Sequence, residues 1–215
     1  LNAPPASLKL LQAQINPHFL YNTLDSIIWL AEAGEKDQVG QGASALSDFF
    51  RTTLSKGRDY ITLQEEATHI RSYLQIQRIR YRDILEYDIR IPQELMQYPI
   101  LKLTLQPLVE NALYHGIKNK RGVGHITVTG RSEEEKLIFC VRDDGIGMSS
   151  TQLDHVRAMV RGERQDSEVS SGFGLFNVNQ RLQLNYGAEY GLDIDSVYEE
   201  GTLATVVIPV MEDKN

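Results

Sequence analysis

The sequence predicts an α+β protein with an all-helical front and a sheet-bearing rear domain, and three observations predict it. Apolar residues recur at helical spacing from residue 8 to about residue 82. At Leu85 the pattern changes to strict alternation, in Leu85-Glu86-Tyr87-Asp88-Ile89-Arg90-Ile91-Pro92. Further alternating runs then interleave with helical ones to the end of the chain. A run of helices followed by mixed elements places the boundary between residues 1–82 and 83–215.

Each element has its own warrant. Leu8, Leu11, Ile15, Leu20, Leu24, Ile27, Ile28 and Ala31 predict a helix over 8–33, with Gly34 as its stop. Pro17 removes the hydrogen bond to the Ala13 carbonyl, so a kink is predicted beside His18. Leu46, Phe49, Phe50 and Leu54 carry a second helix over 38–56, ended by Gly57. The short break at Gly34 makes these two an antiparallel hairpin. Thr62-Leu63-Gln64-Glu65 fits a capping box and opens a third helix over 63–82. After the strand at Leu85, residues 101–117 are expected to be helical, 124–132 and 136–142 to be strands, and 173–186 a helix. Residues between the last two are read as irregular. Strands at 189–197 and 202–209 meet at Glu200-Gly201.

Composition narrows the function. The chain has 215 residues, 41% of them hydrophobic and 24% charged, the mix of an ordinary globular protein. A net charge of −7 argues against nonspecific nucleic-acid binding, which needs a basic face. The single cysteine, Cys140, excludes an intrachain disulfide and reads as a buried small hydrophobe. No run approaches the roughly 20 apolar residues of a membrane span. The chain begins at Leu1 rather than Met, so upstream sensing or membrane segments are expected.

Three segments carry chemistry. Leu105-Gln106-Pro107-Leu108-Val109-Glu110-Asn111-Ala112-Leu113-Tyr114-His115-Gly116 places Glu110, Asn111 and Tyr114 within one turn. An Asn carboxamide oxygen suits a Mg²⁺ that keeps several waters and leans on phosphates. Val141-Arg142-Asp143-Asp144-Gly145-Ile146-Gly147-Met148 puts an acid at a strand end, where it can accept from an exocyclic amine, with glycines that let backbone approach a flat ring. Ser170-Ser171-Gly172-Phe173-Gly174-Leu175-Phe176 leads glycines into a helix whose free N–H groups favour phosphate. About 23 residues separate the last two, a length typical of lids. Arg157, Arg161 and Arg164 could reach phosphate there, or be solvated helix charges.

In this order the three segments resemble the ATPase superfamily of DNA gyrase, the heat-shock chaperones and the histidine kinases (GHKL). Gln14-Ile15-Asn16-Pro17-His18-Phe19-Leu20-Tyr21-Asn22 narrows the resemblance to sensor histidine kinases of the LytS/YesM type. Ser72-Tyr73-Leu74-Gln75-Ile76-Gln77-Arg78-Ile79-Arg80 and Gly201-Thr202 belong to the same likeness, which covers nearly the whole chain. It implies an ATP-binding α/β sandwich behind a helical hairpin that pairs with its twin in a dimeric four-helix bundle.

By the same likeness His18 would be phosphorylated. Asn111 would hold Mg²⁺, with Glu110 beside it as a catalytic group, and Asp143 would bind the adenine amine. Gly145 and Gly147 would line the ATP pocket, Tyr114 and His115 would border it, and Gly172, Gly174 and Leu175 would stand at its phosphate end. Thr202 or Thr205 would support the adenine. Phe19 occupies the place where many histidine kinases carry an acid, leaving the general base open. Asn22 lies one turn past His18, as an orienting group or water holder. His69, His125 and His155 are read as surface or local structural residues, and Trp29 as core or dimer interface. The implied partners are a second copy of the chain and a response regulator whose aspartate takes the phosphoryl group. The implied setting is the cytoplasmic part of a membrane-anchored sensor. Two alternatives stand beside the kinase: an ATPase of the same superfamily that has no use for His18, and a degenerate kinase serving as a nucleotide-sensing dimeric module.

Overall fold

The computed structural model describes residues 17–53, 58–163 and 170–211. The chain divides into two compact units, one of Leu1–Arg58 and Thr68–Arg82, the other of Asp59–Ala67 and Asp83–Asn215.

In the first unit, α1 (Pro17–Glu32) and α2 (Lys36–Thr53) form the expected hairpin. Gly34 makes the turn at φ +79°, a conformation that favours glycine. The stretch expected at 8–16, the kink at Pro17 and the stop at Gly57 involve residues outside the described ones. The third helix, α3 (Leu63–Arg80), contributes its residues from Thr68 onward to this unit. Phe49 is the centre of an aromatic cluster, 4.9 Å from Phe19 and 4.5 Å from the ring of His69. Phe19 also stacks on Tyr73 at 5.4 Å. His69 is fully buried, not a surface residue. Gly42 brings α2 close to its neighbours, since a Cβ there would lie 3.0 Å from Ile79 and 3.1 Å from Ile27. Trp29 is 61% exposed in this chain, so it is not core.

The second unit starts with β1 (Tyr60–Thr62) and the first turn of α3. The capping box forms as expected: the Thr62 N–H donates to Glu65 Oε2 at 2.9 Å, and the Glu65 N–H donates to Thr62 Oγ1 at 3.2 Å. Next come β2 (Leu85–Arg90), β3 (Pro99–Leu101), α4 (Gln106–Asn111), β4 (Gly124–Glu133), β5 (Lys136–Asp143), α5 (Ser150–Val160), α6 (Ser170–Tyr186), β6 (Gly191–Val197) and β7 (Gly201–Pro209). β1 and β3 make a small antiparallel pair. The main sheet has the order β2-β4-β5-β7-β6, with β2 parallel to β4 and the rest antiparallel. Leu137, Phe139 and Val141 of β5 are buried beside Ala204, Val206 and Ile208 of β7. Two-residue alternation carries the same buried face on to Asp143, so a carboxylate terminates an apolar row.

Three further expectations are corrected. Residues 101–105 are not helical: Leu101 ends β3, and Leu103 adopts φ +59°. The helix starts only at Gln106, with Pro107 in its first turn. The stretch read as irregular contains α5, which a second capping box starts: Gln152 N–H donates to Ser149 Oγ while the Ser149 N–H donates to Gln152 Oε1. Cys140 is only partly buried, with its thiol 3.9 Å from the Thr205 hydroxyl.

Candidate functional site

The second unit contains a cavity of about 520 Å³, lined from α4 and the turn after it, the end of β5, α5, α6 and β7. Its floor is Asp143, 3% exposed, whose Oδ1 accepts from the Gly145 N–H at 2.9 Å. Burial pushes this carboxyl up to about 6, against the pull of the Gly145 and Thr202 N–H groups. Asp144, one residue on, behaves oppositely. Its partial burial is outweighed by the His125 N–H at 2.7 Å and the Lys120 ammonium at 3.0 Å, which hold it below the usual carboxylate range. Adjacent acids thus divide into a ligand-facing group and a structural one.

One wall is backbone. After Asn111 the helix widens into a π turn, Ala112–Gly116, a distortion common at functional sites. Asn119 Nδ2 closes it by donating to the Tyr114 and His115 carbonyls at 3.2 and 3.1 Å. A Cβ on Gly116 would collide with Asp143 Oδ1, and one on Gly145 with the Gly116 Cα. Gly147, at φ +61°, lies against the Val197 carbonyl with no room for a side chain.

Of the residues singled out from sequence, Asn111, His115, Asp143, Gly147, Leu175 and Thr202 line the cavity. Burial pushes His115 below the usual histidine range. Gly145 supports Asp143 from beneath. Tyr114 is turned outward, with the Lys118 ammonium 4.6 Å above its ring, because the π turn points it away from the lining face. Glu110 is not a lining residue; its carboxyl is pushed up by burial and accepts from Gln106 Nε2 at 2.8 Å. Gly172 and Gly174 lie near the start of α6, as expected from sequence, with helix present already from Ser170. Arg157 is engaged with the Ile194 carbonyl at 2.8 Å and Asp195 at 3.4 Å, and Arg164 lies outside the described residues. Thr205 pairs with Cys140, away from the lining.

Sequence reasoning missed the α5 wall, Thr151, Gln152, His155 and Val156, together with Ile146, Met148 and Ile194. The Ser149-x-x-Gln152 capping box was the available signal for α5.

The site is braced from behind by a buried acid. Glu66 of α3 is wholly enclosed, and its Oε2 and Oε1 accept the Leu103 and Leu105 N–H groups at 3.0 and 2.8 Å. The left-handed Leu103 turns these donors toward one carboxylate, a backbone nest at the start of α4. Burial pushes Glu66 up, opposed by these donors and by Arg181. Arg181 holds the same loop through the Lys102 carbonyl at 2.6 Å. α4, which bears Asn111, is thereby fixed at its entrance.

In the first unit His18 is exposed on α1, with Asn22 Nδ2 3.0 Å from Nδ1 and 3.3 Å from Nε2. The one-turn pairing expected from sequence is formed. Tyr21, Leu24, Ile28 and Trp29 lie exposed on the same helix.

The cavity suits a nucleotide. It is large enough for a nucleoside, has one buried acceptor for an amine, and is bordered by close-packed glycines on which a Cβ would collide with Asp143, Gly116 or the Val197 carbonyl. Asn111 is a single hard donor, and no group of three or more acidic, His or Cys side chains that could hold a metal occurs among the described residues. That donor set fits a Mg²⁺ carried chiefly by phosphate and water.

A buried acid over a glycine cradle beside an Asn-bearing helix defines the nucleotide-binding fold of the gyrase-like ATPases. Residues 98–212 match the family described as histidine kinase-, DNA gyrase B-, and HSP90-like ATPase, and residues 6–85 match the histidine kinase family. The chain belongs to the sensor histidine kinases. It is 38% identical over 202 residues to the sensor histidine kinase YesM of Bacillus subtilis strain 168, covering 94% of this chain and 33% of that protein. It is 33% identical over 204 residues to the sensor histidine kinase BtsS of Escherichia coli K12, covering 95% of this chain and 33% of that protein. The chain thus spans about a third of the length of these relatives. In fold it is similar to the histidine kinase domain of an Erythrobacter litoralis EL346 blue-light activated histidine kinase, with a TM-score of 0.54 at 16% identity over 94% of this chain and 93% of that one. The catalytic domain of the histidine kinase ThkA gives a TM-score of 0.53 at 12% identity, over 70% of this chain and 95% of that one. No described helix is long and apolar enough to cross a membrane.

Proposed function

We propose that this chain is the ATP-dependent kinase core of a two-component sensor, which phosphorylates its own His18 and passes the phosphoryl group to an aspartate of a response regulator. The observation that carries the reading is the buried Asp143 carboxylate on the floor of the cavity, with Asn111 on its wall. Asp143 accepts from the adenine amine, and the glycines let backbone close on the base. Asn111 holds Mg²⁺, which when bound neutralises phosphate charge. Leu175 and the glycines Gly172 and Gly174 lie toward the phosphates, where N–H groups at the start of α6 favour negative charge.

His18 supplies the nucleophile. A ring-nitrogen lone pair forms the N–P bond as the bond from the γ-phosphorus to the bridging oxygen breaks, and ADP leaves with that electron pair. The imidazole then loses its remaining N–H proton to solvent. Phe19 cannot take it, and the Asn22 amide orients the ring without acting as a base. With its amide nitrogen toward Nδ1, Asn22 leaves the proton on Nε2. With the amide turned to present oxygen, it accepts from Nδ1–H and frees the Nε2 lone pair for attack. Catalysis rests mainly on positioning and charge neutralisation, as expected for a loose phosphoryl-transfer transition state.

The exposed apolar residues of α1, Tyr21, Leu24, Ile28 and Trp29, support a dimer in which two hairpins form a four-helix bundle. The sensor's membrane anchor would lie in segments outside this chain.

Autophosphorylation with γ-labelled ATP and Mg²⁺ tests the reading on the native chain, His18→Gln and Asn111→Ala. Acid-labile label lost in both variants is the expected result. Label that persists in His18→Gln would remove the acceptor assignment. ATP binding with no label in any chain would favour the nucleotide-sensing module, for which the missing acid at Phe19 is the supporting observation.

A further inference from the structure

Asp143, Thr202 and Ser196 form one row across three adjacent strands. Asp143 of β5 faces Thr202 of β7, which faces Ser196 of β6 in register. Residues directly opposite each other project to the same side, so all three continue the face that bears the cavity floor. The Ser196 hydroxyl makes three hydrogen bonds, and their directions are fixed by their partners. Its Oγ donates to the Gly201 carbonyl at 2.8 Å, because a carbonyl can only accept. It accepts from the Met148 N–H at 2.9 Å. Its single proton being spent on Gly201, the 2.9 Å contact with Thr202 Oγ1 leaves one possibility: Thr202 donates to Ser196. The Thr202 hydroxyl is thereby committed, and it offers the cavity only lone pairs.

We propose that Ser196 is a positioning residue that sets base selectivity by fixing the Thr202 hydroxyl as an acceptor toward the nucleotide. The inference rests on the reading of the cavity as an adenine site. A lone carboxylate does not separate purines, since it accepts from the 6-amino group of adenine or from the N1–H of a 6-oxo purine. A second acceptor beside it does. The 6-oxo group then meets an oxygen lone pair with no proton to share, whereas a 6-amino group supplies donors to the row. Leaving a polar ligand group unpaired in such a site is what produces strong discrimination.

ATP and ITP differ at this ring position and nowhere in their phosphates, so their affinity ratio isolates the effect. Competition against a fluorescent ATP analogue would be measured for the native chain, Ser196→Ala, Ser196→Thr and Asp143→Asn. Removing the Ser196 hydroxyl frees Thr202 to rotate and donate, so Ser196→Ala should shrink the ATP/ITP ratio by about tenfold, mainly by tightening ITP. Ser196→Thr restores the hydroxyl and should restore the ratio. A merely structural role for Ser196 would weaken both nucleotides together; an unchanged ratio in Ser196→Ala would overturn the inference even if both affinities fell. Unchanged ATP binding in Asp143→Asn would instead overturn the adenine reading, and this proposal with it.

Discussion

The cavity of the second unit and the His18 face of the first are built on opposite plans. Around Asp143 one wall is backbone, packed so closely that Gly116, Gly145 and Gly147 have no space for a methyl group. Around His18 the chain presents side chains: an exposed ring, one amide neighbour and exposed apolar residues on the same helix. A pocket made of backbone is complete when its domain folds. His18 is an exposed ring on a helix, and on the proposed reading that ring is the nucleophile. On the proposed reading, the cavity that takes the nucleotide is built within one folded unit and the ring that takes the phosphoryl group is carried by the other.

The sharpest way to break this contrast is at Gly147. Gly147→Ala places a Cβ against the Val197 carbonyl at φ +61°, so nucleotide binding should fall by about 100-fold or more with a clear loss in thermal stability. Gly174, with nothing within 4 Å, is the control: Gly174→Ala should leave the unfolding midpoint unchanged or raise it slightly. Equal damage in both would show that the wall is not built as described.

Glu66 tests the bracing of Asn111. Glu66→Ala strands two buried N–H groups at the entrance of α4 and should cost about 3 kcal/mol in urea unfolding. A change under about 0.5 kcal/mol, within the range of surface substitutions, would sink the bracing argument.

The pH dependence of Asp143 sharpens the comparison. Its folded value of about 6 lies above the ordinary 3.8, so between these the folded chain holds the extra proton. Its contribution to stability therefore declines as pH rises through that window, reaching a penalty of about 3 kcal/mol above it. Nucleotide binding needs the carboxylate, so ATP affinity should weaken by about tenfold per pH unit below 6. Asp143→Asn should abolish that dependence and fold at least as stably at neutral pH, by calorimetry. Smallest in effect is Trp29→Ser, expected to weaken dimerisation by about tenfold in sedimentation while ATP binding is untouched.

The legibility of these two regions from sequence also differs. The hairpin, the capping box at Thr62 and the final strands were readable because helical and two-residue periodicities persist over many residues. Asp143 and Asn111 were singled out through their motifs and the family resemblance, and both line the cavity; Thr202 and Thr205 could not be separated by sequence, and only Thr202 lines it. What was hidden depends on contacts distant in sequence. Leu101-Lys102-Leu103-Thr104-Leu105 has enough leucine to suggest helix, but Glu66 and Arg181 hold it in a left-handed loop. β1 and β3 are three residues each, too short to show a period. The π turn that aims Tyr114 outward leaves no compositional trace. α5 has few apolar residues, so its wall of Thr151, His155 and Val156 was passed over, although Ser149 and Gln152 announced its start.

The contact between Gly116 and Gly145 has a consequence for how this pocket can change. A Cβ on Gly145 would strike the Gly116 Cα, and one on Gly116 would strike the Asp143 carboxylate, so neither position takes a side chain unless its neighbour moves. An inhibitor that presses on that side meets backbone and the Asp143 carboxylate, and a side chain introduced there to block it would distort the pocket itself. A change of shape costs less at the α5 wall, where Thr151, His155 and Val156 are side chains on a helix. Compounds meant to separate this chain from others of its fold should carry their bulk toward α5, and resistance should be sought there first.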